Sequence, residues 1–98
     1  MPTKVEALKR KPLFSLGNLL ITVKALRAIP EADVNAALKR HVRGDWGDIG
    51  EEDRSENDKA LEIGARLFSA YVSSKKRKFW IITEADRSQT TVVMPEEY

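Results

Sequence analysis

The stretch SAYVSSKKRKFWIITEADRSQTTVVM, residues 69–94, decides the fold. Its three short runs, SAYVSS, FWIIT and TTVVM, are rich in β-branched and aromatic side chains and are separated by charged, polar segments. Runs of this length bounded by turn-forming residues read as strands rather than helices. The KKRK run between the first two has no glycine. A two-residue hairpin turn needs left-handed backbone, so a longer loop is predicted there. Glu84 to Gln89 connects the last two strands. The end of the chain is thus predicted to be a three-stranded antiparallel meander.

Toward the N-terminus the period changes from two to that of a helix. Asn57, Ala60, Leu61, Gly64, Leu67 and Phe68 recur at helical spacing and predict one buried face, with Gly64 marking close approach of another element. EEDRSEND opens this helix. Its acids suit the positive end of the helix dipole, and Ser55 with Asp58 has the spacing of a capping box. Further back, Val34, Ala37, Leu38, His41 and Val42 form a second continuous face. Pro30 suits the first turn of that helix and Gly44 its stop. A shorter helix, VKALRAI, follows a capping Thr22 and ends at Pro30. LFSLGNLLIT, residues 13–22, reads as an extended segment with a bend at Gly17, able to join the sheet. Residues 1–12 read as a basic, solvated arm. The predicted class is α+β: a meander of three to four strands with two to three helices packed on one face, in a single domain over residues 13–98.

Ninety-eight residues are enough for one domain. The absence of cysteine excludes disulfides, thiolate nucleophiles and cysteine-based zinc sites, and fits a reducing compartment. The longest apolar run, LLITV at 19–23, falls far short of the roughly 20 residues of a membrane span, so no membrane association is expected. No apolar signal region follows the basic start, and a cytoplasmic location is the expectation.

The net charge of +2 conceals strong segregation. Residues 1–43 carry nine basic and three acidic side chains, and residues 44–64 carry two basic and eight acidic. An acidic block between basic ones does not suit a protein that simply coats nucleic acid. It suits docking on a basic surface, or head-to-tail self-association; a homodimer is a further expectation.

Three segments hold candidate sites. RHVRGDWGD, residues 40–48, contains the single histidine. His41 is a general base or metal ligand on one reading, and a hydrogen-bonded helix-end residue on the other, which its place on the apolar face favours. Asp45 and Asp48 suit a hard cation by chemistry, but their loop lacks EF-hand spacing, and aspartates that cap turn amides are the preferred reading. Trp46 is expected to pack on the sheet, with a partner-facing role as the alternative. In TEADRSQTT, Glu84 and Asp86 would complete a metal site with His41 and Asp45, and Arg87 with Ser88 would hold a phosphate. The other reading is a self-satisfied turn, with Arg87 paired to the acidic block. Lys75, Lys76, Arg77 and Lys78 invite nucleic acid, with an adjacent aromatic as stacking platform. Phe79 and Trp80 must face opposite sides of a strand, so at most one is available. No Walker loop, GxGxxG, HExxH or GxSxG motif is present, and no cofactor is expected.

RHVRGDWGD, ENDKAL, SAYV and WIITEADRSQTTVVMPEEY together resemble a family of small proteins carried on bacterial plasmids and other mobile elements. The likeness covers about residues 38–98. It implies a mobile-element context and a role in the contest between such elements and host defence, and it implies no active site. The leading expectation is a non-enzymatic interaction protein. Asp45, Trp46, Asp48, Glu51, Glu52, Asp53, Arg87 and Ser88 would form its binding surface for a basic protein, such as a defence or nucleic-acid-handling complex. A metal-dependent hydrolase or nuclease built on His41, Asp45, Glu84 and Asp86 is the alternative, and a nucleic-acid-binding accessory protein is the third.

Overall fold

The computed structural model describes residues 12–98. The predicted arm lies almost wholly outside them. Strands β1 (Asn18–Ile21), β2 (Leu67–Val72), β3 (Lys78–Thr83) and β4 (Gln89–Val93) form one sheet in the order β1-β4-β3-β2. Helices α1 (Val23–Ala28), α2 (Glu31–His41) and α3 (Glu51–Ile63) precede the meander, and a 3-10 turn, Pro95–Glu97, closes the chain. The α+β class holds, with β2, β3 and β4 as the antiparallel meander. The segment at 13–21 does join it, but β1 runs parallel to β4, so the sheet is mixed.

Side-chain alternation gives the sheet two unlike faces. Leu67, Ser69, Tyr71, Phe79, Ile81 and Val92 point inward and are buried. All three helices lie on this side. Ala25 and Ile29 from α1, and Val34, Ala37 and Leu38 from α2, pack on Tyr71, Phe79, Ile81 and Val92. Each large side chain buried there contributes about 1.5–3 kcal/mol. A second cluster joins Ala60 of α3 to Trp46 and Leu67, with Phe14 and Leu61 against it.

Local rules explain most boundaries. Thr22 caps α1, its hydroxyl accepting the Ala25 N–H at 3.1 Å. Pro30 sits one position earlier than expected, as the cap of α2. Helix α3 starts at Glu51 after Gly50, so Ser55 lies inside it and the capping-box expectation fails. Gly64 ends α3 in the left-handed conformation, and an added Cβ there would meet nothing within 4 Å. It is a helix stop and not a point of close approach, and Leu67 and Phe68 belong to β2. The KKRK hairpin loop spans residues 73–77, longer than two as expected, with Lys76 taking the left-handed backbone that a glycine would usually supply.

Candidate functional site

The end of α2 places the His41 ring inside the second cluster, with no exposed surface. Its Nδ1 lies 2.5 Å from the Ser69 hydroxyl and its Nε2 2.8 Å from the Thr83 hydroxyl. Thr83 in turn lies 2.8 Å from Thr90, whose hydroxyl donates to the Leu16 carbonyl at 2.7 Å. A hydroxyl has one proton and a carbonyl has none, so the direction of the chain is fixed. Thr90 donates to Leu16, Thr83 to Thr90, and His41 Nε2–H to Thr83. Nδ1 is therefore the acceptor, and Ser69 donates to it. The imidazole is neutral with both nitrogens engaged, and burial, aided by the nearby Arg87 charge, pushes its pKa down to about 4.

Around this ring the two candidate loops meet through Phe14. Phe14 packs edge-on to His41 at 5.2 Å and stacks on Trp46 at 6.3 Å, and the Arg87 guanidinium lies 5.6 Å from its ring centre. Trp46 is buried, as expected, and its Nε1 donates to Asp58 at 3.3 Å. The proximity of residues 41–48 to residues 84–90 is thus real, but what fills it is aromatic packing.

Arg87 does not pair with acidic side chains among the described residues. Its Nη1 donates to the Ala65 carbonyl at 2.6 Å and to the Glu84 carbonyl at 3.1 Å, and its Nη2 to the Ala60 carbonyl at 3.0 Å. Helix α3 has no basic residue in its own last turn, so this guanidinium supplies the cation that the negative end of the dipole favours. With its donors turned to carbonyls, Arg87 does not form the expected phosphate cradle with Ser88, whose N–H donates instead to Asp86 at 3.0 Å. The Ser88 hydroxyl first, and this N–H second, lower the Asp86 pKa.

Asp45 is the bidentate partner of Arg40, at 2.7 and 3.1 Å, which holds its carboxyl below the usual range. It also accepts the Gly47 N–H at 3.3 Å, the turn-stabilising role expected of it. Glu84 lies on the opposite face of the sheet from His41, beside Arg66, Ile82 and Tyr98 around a hollow of about 140 Å³. His41, Asp45, Glu84 and Asp86 therefore do not assemble. Among the described residues no three His, Cys, Asp or Glu side chains are placed to hold a metal ion. The metal constellation is corrected on this geometry: one ligand is sealed in the core and another is on the wrong face.

The GDWGD loop has another role. Ala70 N–H donates to the Trp46 carbonyl at 3.1 Å, and Asp48 N–H to the Ala70 carbonyl at 2.7 Å, so the loop pairs with the outer edge of β2. Asn57 covers the next position of that edge, donating to the Phe68 carbonyl at 2.6 Å and accepting the Phe68 N–H at 3.1 Å. Sequence reasoning placed Asn57 on a buried face but missed this pairing. It also missed Ser69 and Thr83, whose only signal was a polar side chain on the inward side of a strand; Thr90 stood out only as one of the polar residues of TEADRSQTT.

Glu51, Glu52 and Asp53 project from the first turn of α3 and are exposed. With Glu56 and Glu62 they make no ion pair among the described residues. At the KKRK tip, Lys75, Lys76 and Lys78 are exposed, whereas Arg77 approaches Glu96 at 3.7 Å. Phe79 is buried, and half-buried Trp80 lies on the face without helices, edge-on to Phe68 at 5.0 Å.

No helix among the described residues is long and apolar enough to cross a membrane. Compared with family models, curated proteins and solved structures, the chain matches none.

Proposed function

We propose that this is a binding protein that docks on a basic protein surface through the acidic face of α3, without catalysing a reaction. The observation that carries the reading is the exposed cluster Glu51, Glu52, Asp53 and Glu56, without an ion pair among the described residues, in the first two turns of a helix anchored at both ends. Arg54 donates to the Gly47 carbonyl at 2.9 Å near its start, and Arg87 clamps its end. Fixed charges of one sign steer an oppositely charged partner and lose little freedom on binding. The polar groups that suggested catalysis, His41, Asp45 and Arg87, have their hydrogen-bonding capacity directed into the fold. A partner that handles nucleic acid, whose channel is basic, fits this surface, and so does the mobile-element context that the resemblance implies.

The test is affinity capture of the tagged chain from a bacterial lysate beside the variant Glu51→Lys, Glu52→Lys, Asp53→Lys. The expected result is one stoichiometric protein partner that the variant loses, while its circular dichroism is unchanged. Equal capture by both proteins would remove the reading.

A second reading, single-stranded nucleic acid, is favoured by exposed Lys75, Lys76 and Lys78 next to the half-buried Trp80. It requires oligonucleotide affinity that falls steeply with salt. No saturable binding at low salt would end it.

A further inference from the structure

The two edges of the sheet are treated differently. The β2 edge is closed by Asn57 and the Trp46–Asp48 backbone. Among the described residues the β1 edge is bare. Asn18 N–H donates to the Ser88 carbonyl at 2.9 Å and Thr22 N–H to the Val92 carbonyl at 3.1 Å. By the alternation of a strand, the even positions of β1 face β4, and Leu19 and Ile21 turn their N–H and C=O groups to the free side. No partner for these groups is present among the described residues. The strand carries none of the usual protections of an edge: no lysine, no proline and no bulge. It is also apolar on both faces, with Leu19 44% and Leu20 47% exposed. On the helix side, an open groove of about 410 Å³ is lined by six apolar side chains, Leu19 and Ile21 of β1 among them, together with Glu31 and Asn35. Val23 and Leu26 of α1 are 63% and 64% exposed nearby.

We infer that β1 is the interface of a two-fold dimer, in which β1 of one chain pairs antiparallel with β1 of a second copy to give one continuous eight-stranded sheet. Charge matching selects the occupant. Residues 13–23 carry no charge at all, so neither an acidic nor a basic partner is complementary to the strand, whereas its own copy is. The hydrogen-bond register is self-complementary as well. A two-fold axis normal to the sheet keeps the helices of both copies on one side, so residues that face each other must share a face. Leu20 then sits opposite the partner's Leu20, and Leu19 opposite the partner's Ile21. Leu19 and Ile21 hold the free N–H and C=O groups, so each exchanges both bonds with its counterpart, as a hydrogen-bonded antiparallel pair does. Centring on Leu20 therefore uses every free group of the edge, and the arrangement is closed. The acidic α3 helices lie beside β2, at the far end of each half of the sheet, and stay available to other partners.

The register makes a residue-specific test, because the chain has no cysteine. Opposed residues of a non-hydrogen-bonded antiparallel pair have Cα atoms about 4.5 Å apart. That lies within the range of about 4.4–6.8 Å that a disulfide spans. Sedimentation equilibrium of the full chain is expected to give twice the 11.1 kDa of one chain. Under mild oxidation, Leu20→Cys is expected to cross-link nearly completely, and Val23→Cys, at the more solvent-accessible position, to cross-link poorly. Leu20→Asp, which sets two carboxylates face to face on the axis, is expected to give the single-chain mass with unchanged circular dichroism. A single-chain mass for the full chain at every concentration would overturn the inference. So would a dimer that survives Leu20→Asp, or an open series of larger species.

Discussion

The Arg87 guanidinium donates to the Ala60 carbonyl across 27 positions of sequence, at 3.0 Å. It closes the C-terminal turn of α3, where Gly64 N–H and Ala65 N–H also converge on the same carbonyl. Arg87 pays for this reach with a φ of 62°, a left-handed backbone that non-glycine residues adopt at a cost. Arg87→Ala is expected to destabilise the protein by about 2–4 kcal/mol, the loss of charge-assisted bonds to carbonyls in a half-buried place. Arg87→Gly is expected to lose about 1 kcal/mol less, because it relieves the backbone. Denaturant titration measures both. Hydrogen exchange should locate the loosening at residues 60–65, and a change spread evenly over the chain would contradict the clamp.

His41 makes stability depend on pH in a window of its own. The pKa falls from 6.5 to about 4 on folding, so between those values the unfolded chain holds a proton that the folded one does not. The contribution is complete above pH 6.5 and is lost as pH falls toward 4, by about 3 kcal/mol in all. The lowered carboxylates, Asp33, Asp45, Asp86 and Glu96, begin to lose their stabilisation only below their ordinary values of 3.8 and 4.5 and lose it as pH falls through their depressed ones, so they leave the part of the window above pH 5 to His41. Urea midpoints measured from pH 7 to 5, above the range in which the carboxylates titrate, should slope downward for the natural chain. The slope should vanish for His41→Gln, even though that variant starts from lower stability. A persistent slope would place its source elsewhere.

Much of the fold was legible because its signals are local. The helical face of Val34, Ala37, Leu38, His41 and Val42 needs nothing beyond its own spacing, and all five are buried. Thr22 as a cap and the long KKRK loop are local in the same way. The direction of β1 was not legible, because parallel or antiparallel pairing with β4 depends on the path of α1, α2 and α3 between them. The candidate site misled for a related reason. His41, Asp45 and Arg87 are residue types that catalyse or bind, and composition cannot say whether their partners are ligands or the chain itself. Those partners, Ser69, Thr83, Arg40 and the Ala60 carbonyl, range from five to 42 positions away. Gly64 departs from its expected role for a simpler reason: a glycine one position past a helix stops it, and the helical spacing that runs on to Leu67 and Phe68 falls in a strand.

Two glycines with nearly equal backbone angles should respond very differently to alanine. Gly47 has φ 75° and Gly64 φ 72°. A Cβ on Gly47 would stand 2.0 Å from the Ala70 carbonyl oxygen, inside the hydrogen-bonded bridge to β2, whereas one on Gly64 would meet nothing within 4 Å. Gly64→Ala is expected to cost about 1–2 kcal/mol, the backbone penalty alone. Gly47→Ala is expected to cost at least about 3 kcal/mol, because the bridge must open as well. Thermal unfolding of the two variants decides the matter, and equal losses would mean that the loop is not held against β2.

Lys76 offers the reverse case, a substitution that should stabilise. It has φ 62° in the hairpin loop, where Ser73 orders the turn by accepting the Lys75 and Arg77 N–H groups at 3.2 and 3.1 Å. The Lys76 side chain is exposed and makes no ion pair among the described residues, so its removal takes nothing from the fold. Left-handed backbone costs a residue with a Cβ about 1–2 kcal/mol, and glycine returns part of that through the greater freedom of the unfolded chain. The balance for Lys76→Gly is a gain of about 0.5–1 kcal/mol, a rise in melting temperature of about 2–6 °C for a domain of this size. Lys75→Gly, at an adjacent exposed position with φ outside the left-handed region, should lower the melting temperature. Differential scanning calorimetry of the pair measures both signs, and a fall in both would show that the loop is not strained at Lys76.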